Sequence, residues 1–568
     1  MNIDFNILNK DTIEDFYTDY YKIIKRKLKR FNSNYQSCSE FLGYLGDLTN
    51  LINILDNIIE YSEFYKLKIN YSKLKKVIYS NKTNVKLIIQ NYKKFINDTN
   101  EEDKYFIEYL LRIYKSYINE DINKVLNTKT YQSNLYTYDD ILLSELNYKK
   151  LMRTTESEDK RKEIFMTYNT PNHDKIKLLA ETLIIKQKIA EQYQFKNYGD
   201  YRLKNLMGHD TTNIQNFLGT MNSYLELQYL TETEELTNMK GSELFAWDID
   251  YYTHKKNNYP KISNINQILS TIFHILGSLW NIEIKKNNKI DNCYDVFRKN
   301  KQRGRFYLFP RNQTESWMIQ PSCRYPYNSN NIQLNVSIVH YNIQNLKDVQ
   351  IFFGKMGLII HNMFGISKYS CFAGPKISDD TIGIMNSLFE KIFIDKCLEI
   401  TGYSWTPEFG TAIKFMNSLF IASFDNYLHS SNDVINSLLT HGNNEYGQII
   451  YTVFNNLHKI VLNFDINSIP ENIINKIINN SCTNYSELWT ELYACQIYNK
   501  LTKSNNYKYL IKHLLEKGYM MSIKYKKYLE ESINPEYFLK YYNIKQQELI
   551  EDSDSESNDY NQYLSEVA

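Results

Sequence analysis

Nine prolines in 568 residues leave few places where the backbone itself must end a helix. There is no Gly/Ser-rich linker and no internal repeat. The seven cysteines, Cys38, Cys293, Cys323, Cys371, Cys397, Cys482 and Cys495, are scattered, odd in number and free of any C-x-x-C pair. That pattern excludes a disulfide framework and points to a reducing compartment. No run of about 18 apolar residues occurs, so no transmembrane helix is expected. The N-terminal stretch MNIDFNILNKDTIEDF carries acidic residues and no apolar core, so it does not read as a signal peptide. A net charge of +2 gives no electrostatic reason to expect nucleic acid. The expectation is a soluble, cytoplasmic protein with neither membrane nor nucleic acid among its partners.

What is present is ordinary in bulk and biased in detail. Hydrophobic residues make up 43% and charged residues 23%, within the globular range. The length suffices for several cores or one large two-lobed body. Tyrosine is abundant at 50 residues. Asn, Ile and Lys dominate many segments, and Lys is preferred to Arg. That bias suits an AT-rich genome such as those of large DNA viruses, some protists and some bacteria.

Apolar residues at helical spacing predict helices through most of the chain. They run near Ile13–Leu28, Phe41–Tyr65, Leu74–Ile96, Tyr105–Ile118, His173–Tyr193, Asp210–Leu236 and Ile262–Leu279. Further helices are expected over Leu346–Gly365, Glu408–His429, Gly447–Phe464, Tyr485–Leu501 and Tyr507–Leu529. The aromatic stripes along these helices read as core packing. Residues 126–155 read as irregular, with a helix near Ile141–Leu151, and Trp280–Ile290 looks extended. Gly304–Arg311 (GRFYLFPR) and Ile332–His340 (IQLNVSIVH) alternate with period two and are β-branched or aromatic, as strands are. The fold class is therefore mainly α, with a small sheet just upstream of the stretch Leu346–Ile392. The acidic end Glu551–Ala568 reads as a disordered tail whose Ser-Asp-Ser-Glu-Ser run is a candidate for acid-directed phosphorylation.

Three blocks occur in order. Tyr193-Gln194-Phe195-Lys196-Asn197-Tyr198-Gly199 leads into Tyr201-Arg202-Leu203. Trp247-Asp248-Ile249-Asp250-Tyr251-Tyr252 follows. Gly304-Arg305-Phe306-Tyr307-Leu308 then precedes Pro310-Arg311. Together they resemble the thimet oligopeptidase and oligoendopeptidase family of zinc metallopeptidases, over roughly residues 105–500. The resemblance implies a two-lobed helical body with a deep central channel and a small sheet beside the active-site helix. It implies an N-terminal helical region over 1–160, a catalytic-type region over 161–550 and the tail 551–568. The chain is shorter than typical thimet oligopeptidases, so trimmed N-terminal elements are expected.

The same resemblance locates the site and shows what it lacks. In such an enzyme, zinc and a carboxylate activate water. H-E-x-x-H puts two ligands on one helix face with the Glu as general base. The family's Phe-His-Glu-Phe-Gly-His-x-x-His matches Phe353-Gly354-Lys355-Met356-Gly357-Leu358-Ile359-Ile360-His361. Gly354 and Leu358 stand where the ligands would be, and Lys355 where the base would be. The family's third ligand, a Glu, falls at Gly383 within Asp380–Glu390, while Asp380 and Glu390 are retained. Phe372-Ala373-Gly374 resembles the family's Ser-Gly loop. In the region that resembles the family's substrate-binding helix, Tyr485 is kept. The usual His falls at Asn475, the Gly-Tyr tyrosine near Asn480 and the last Tyr at Glu487.

No two of the ten histidines are three or four residues apart. His340 and His361 could meet in the fold, but two His alone make a poor metal site. The expectation is a pseudo-peptidase without a zinc cofactor that binds a peptide or protein or serves as a structural component. Its oligomeric state is not specified by the sequence. Two alternatives stand: an active zinc metalloendopeptidase with a displaced site, and a helical scaffold or virion-associated protein of a large DNA virus, placed in the host cytoplasm or the virion. Reinstating Gly354→His, Lys355→Glu, Leu358→His and Gly383→Glu together is expected to restore zinc binding if the scaffold has kept its geometry.

Overall fold

The helical periodicity of the sequence is realised through most of the chain. The computed structural model describes residues 10–544, with breaks at 32–33, 61–78, 80–81, 119–136, 139–140, 143–144, 170–172, 311–316, 323–334, 366, 368, 375–378, 441–444, 465–468, 511–513, 516–524, 526 and 530–531. Cys323, Arg311 and the acidic tail lie outside the described residues. So does much of the helix expected over Tyr507–Leu529, of which Tyr507–Leu510 is described. No helix among the described residues is long and apolar enough to cross a membrane.

The chain divides into two compact units that are each discontinuous in sequence. One comprises residues 1–131, 261–403 and 500–532; the other comprises 132–260, 404–499 and 533–568. Compactness thus partitions the chain differently from the family-like segment, whose expected edges are at 160 and 550.

The first unit holds a five-stranded sheet: β3 (Glu283–Lys286), β4 (Cys293–Arg298), β5 (Lys301–Pro310), β6 (Trp317–Ser322) and β7 (Asn335–Tyr341), in the order β3-β4-β5-β7-β6. A separate hairpin in the second unit pairs β1 (Thr137–Tyr138) with β2 (Ile141–Leu142). It lies where a helix start is expected; the helix begins after it, at Glu145. In the large sheet β5 and β7 run parallel and the other pairs antiparallel. The two expected strands are β5 and β7. β3 lies within Trp280–Ile290, expected to be extended, whereas β4 (CYDVFR) and β6 (WMIQPS) are too short to show a firm alternation.

Gly304 in β5 sits opposite Asn335 of β7. A Cβ there would lie 2.9 Å from the Asn335 Cβ and would also strike the Met363 sulfur, so the parallel pairing requires glycine.

Two helices complete the core of this unit behind the sheet: Leu346–Phe364 and Ile384–Thr401. Trp280 is fully buried and stacks on Phe389 at 5.2 Å, with Tyr507 edge-on at 5.3 Å. The helix Glu101–Ile118 joins the same unit through Phe106, stacked on Tyr369 at 3.7 Å, and through a hydrogen bond from the Tyr369 hydroxyl to Asp103 Oδ1 at 2.6 Å.

The second unit is built on the long helices Thr211–Lys240 and Thr411–Ser430. Asp210 caps the first by accepting from Asn213 N at 2.8 Å, and Gly241 ends it at φ +76. Glu232 of this helix accepts from Ala412 N (3.2 Å) and Ile413 N (2.9 Å), the otherwise unpaired donors at the start of the second helix. Burial raises the Glu232 pKa above its ordinary value despite these bonds. A carboxyl raised on folding binds its proton more tightly in the folded chain. The penalty for ionising it is therefore absent below its unfolded pKa and is met as the pH rises through the folded one. Melting curves of the wild type and Glu232→Gln across this window are expected to move in the wild type's favour as pH falls. A difference independent of pH would show that Glu232 is not shifted.

Candidate functional site

The helix Leu346–Phe364 begins at a reciprocal cap. Asn345 Oδ1 accepts from Asp348 N at 3.1 Å, and Asp348 Oδ2 accepts from Asn345 N at 3.1 Å. Its far end is tied to the sheet. Asn362 Nδ2 donates to Val336 O (2.9 Å) and Ser337 Oγ (2.8 Å), and Asn335 Nδ2 donates back to Asn362 O. Buried polar groups satisfied in this way set the rotation of a helix more sharply than apolar packing does. The loop Phe372–Gly374 returns to the same end, where Gly374 N donates to Gly365 O at 3.1 Å.

Along one side the helix lies against Ile384–Thr401, and the seam is made by glycines. A Cβ on Gly357 would run into the Met385 carbonyl oxygen and come within 2.7 Å of the Phe389 ring. A Cβ on Gly354 would meet Glu390 Cγ and Oε1 at 2.8 Å and Asn386 Nδ2 at 3.2 Å. Asn386 Nδ2 also donates to Glu390 Oε1 at 2.6 Å, so a hydrogen-bonded pair occupies the space in front of Gly354. Lys355 and Leu358 are half-buried on the next face, and Gly383, also half-buried, precedes the first turn of the second helix with φ −77. Asp380, retained in the sequence, is fully buried.

Gly354, Lys355 and Leu358 thus lie on one helix of this pair, and Gly383 precedes the other. Asn480, Tyr485 and Glu487 belong to the other unit. Asn480 follows the helix Glu471–Asn479 and is exposed, as is Glu487. Tyr485 is 2% exposed and lies edge-on to Trp489 at 5.7 Å. His361 is buried in the central helix. His340 lies in β7 with its ring 5.6 Å from that of Phe309. Among the described residues neither belongs to a group of three metal-capable side chains.

The upstream blocks have structural work to do. Asn197 caps the short helix Tyr198–Leu203 through Asp200 N (2.7 Å), and Asp200 in turn accepts from Thr211 N (2.9 Å) and Thr211 Oγ1 (2.7 Å). Asp248 of the Trp-Asp block is fully buried. Arg161 Nη2 lies 2.5 Å from its Oδ1 and Lys240 Nζ 2.6 Å from its Oδ2, and Phe245 N donates to Oδ2 at 3.1 Å. Gly304, Phe306 and Tyr307 supply the close approach and the buried rings of β5.

The profile of Peptidase family M3 matches residues 151–544. The chain belongs to Peptidase family M3. A thimet-like oligopeptidase of Dictyostelium discoideum is 22% identical over 329 residues, which are 46% of this chain and 48% of that protein. Saccharolysin of Saccharomyces cerevisiae is 22% identical over 373 residues, 56% of this chain and 49% of that protein. The chain thus spans about half the length of these curated relatives. Among solved structures, oligoendopeptidase F from Enterococcus faecium superposes with a TM-score of 0.53 at 11% identity, over 98% of both chains. PZ peptidase A, solved with an inhibitor, superposes at 0.59 and 10% identity over 93% of this chain and 94% of its own. Identities this low speak to the fold alone.

The zinc that the family resemblance implies does not fit the corresponding residues here. Gly354, Leu358 and Gly383 offer no side-chain donor atom, and a lysine ammonium has three donors and no acceptor. The direction in which a ligand side chain would leave position 354 is filled by Glu390 and Asn386. No hydrolytic step can be routed through a metal at these positions.

Proposed function

We propose that this M3-family chain is a pseudo-peptidase that binds peptide or protein segments without cleaving them. The observation that supports the reading is the joint replacement at Gly354, Lys355, Leu358 and Gly383 on an otherwise well-ordered, capped and packed helix pair. A site decaying with its scaffold would have lost the cap, the glycine seam and the Asn362 ties as well. Electrophilic and general-base assistance would each have to come from elsewhere. The ligand class follows from family membership: peptides.

The test is a quenched fluorescent peptide library incubated with the purified full chain, with and without a chelator, alongside binding of the same peptides by fluorescence anisotropy. The expected outcome is binding with no chelator-sensitive hydrolysis above buffer. Chelator-sensitive cleavage that co-purifies with the chain would overturn the reading and favour a displaced metal site. Absence of both binding and cleavage would favour a purely structural component.

A further inference from the structure

Among the described residues, one group of metal-capable side chains gathers away from the central helix pair, wholly within the second unit. Asp425 and His429 lie one turn apart on Thr411–Ser430, and Cys482 sits in the turn before Ser486–Ser504; one ligand atom of each is within 4.8 Å of the other two. Their exposures are 1%, 2% and 3%. His429 Nδ1 is 3.0 Å from Asp425 Oδ1 and also 3.0 Å from the Asp425 carbonyl oxygen. Asn484 holds the other carboxylate oxygen, donating to Asp425 Oδ2 from Nδ2 at 2.7 Å and from its backbone N at 3.3 Å. Asp425 Oδ1 faces the His429 ring nitrogen rather than water, and the buried His429 Nε2 has no hydrogen-bond partner. A buried imidazole nitrogen left without a partner beside a carboxylate and a thiol is placed to take a ligand.

We infer that Asp425, His429 and Cys482 form a binding site for a divalent cation of the zinc class. Carboxylate, imidazole and thiolate are the three ligand types such an ion takes, and three protein ligands are a sufficient set for it. Bonds of about 2.0–2.3 Å place tetrahedral ligands about 3–4 Å apart, so closing the cluster needs about an ångström of side-chain movement. The Asn484 bonds orient the carboxylate as outer-shell partners do.

Burial, and Asp425 beside it, push the Cys482 thiol well above its ordinary pKa, while Lys186 and Arg202 act the other way, so the thiolate forms only as an ion displaces its proton. A dication with one carboxylate, one thiolate and one neutral imidazole is electroneutral, so Lys186 and Arg202 face no net positive charge in the occupied site. A nucleophilic role for Cys482 is excluded by its burial. The inference does not rest on the non-cleaving reading, since none of these residues belongs to the family's zinc positions. It does mean that zinc content alone cannot test that reading.

The experiment uses the full chain, stripped with chelator and titrated with Co2+ and then Zn2+. The expected result is a single equivalent of Co2+ with a thiolate-to-cobalt charge-transfer band that Zn2+ abolishes. Cys482→Ser should lose the band, His429→Gln should weaken binding at least about tenfold, and Cys495→Ser should change neither. A wild-type chain without the band, or a band that survives Cys482→Ser, overturns the site. If Cys482→Ser does not fold, the wild-type titration and the His429→Gln affinity decide.

Discussion

Asp248→Ala is expected to lower stability by about 3–5 kcal/mol, the range for removing one partner of a buried ion pair. The carboxylate is fully buried, and it answers two cations and a backbone N–H at once. Arg161, itself 1% exposed, would be left with its Thr155 and Glu156 carbonyl bonds at 3.1 and 2.7 Å and with the Tyr251 ring 4.3 Å away. None of these groups carries the compensating charge. Lys240 would keep only the partly exposed Glu158 as an anion, at 2.9 Å. Burial works against the Lys240 charge, but Asp248 and Glu158 outweigh it and raise its pKa. Urea titration of both chains measures the loss. A shift under about 1 kcal/mol, the scale of an exposed pair, would mean that water reaches the cluster.

Gly357→Ala is expected to destabilise by about 1–3 kcal/mol, the range for overpacking a core. Its new methyl would collide with the Met385 carbonyl, a backbone atom that cannot turn aside, and with the Phe389 ring at 2.7 Å, which is itself stacked on Trp280. The gain of about 1 kcal/mol in helix propensity on replacing glycine offsets only part of this. Gly354→Ala provides the internal comparison. Its methyl meets Glu390 and Asn386 side-chain atoms, which can rotate, so its net effect should be much smaller. Thermal melts of the two variants side by side measure the difference. Equal effects would show that the two helices separate freely along the seam. The same contrast bears on reinstating ligands: Gly354→His requires the Asn386–Glu390 pair to open first.

Much of the architecture is legible in the sequence because it is local. The long helices announce themselves by apolar spacing, and β5 and β7 by alternation. The six-residue strands β4 and β6 do not, because their residues are chosen by pairing partners distant in sequence. The candidate site positions are legible for a different reason. The family pattern supplies a frame, and Gly354, Lys355, Leu358 and Gly383 are wrong for zinc in any conformation. Asp425-x-x-x-His429 is also visible as an i, i+4 pair, but a search confined to histidine pairs passes over it. Cys482 lies more than fifty residues further on, and nothing local connects it to them.

Sequence alone thus determined the mainly helical class and the family. These depend on residue identity and short-range periodicity. Tertiary structure alone decided why Gly354 and Gly357 stand in the central helix, why Asp248 is buried among cations, and which carboxylate, imidazole and thiol come together. Those depend on atoms brought within a few ångströms by packing, and packing has no signature at fixed spacing along the chain.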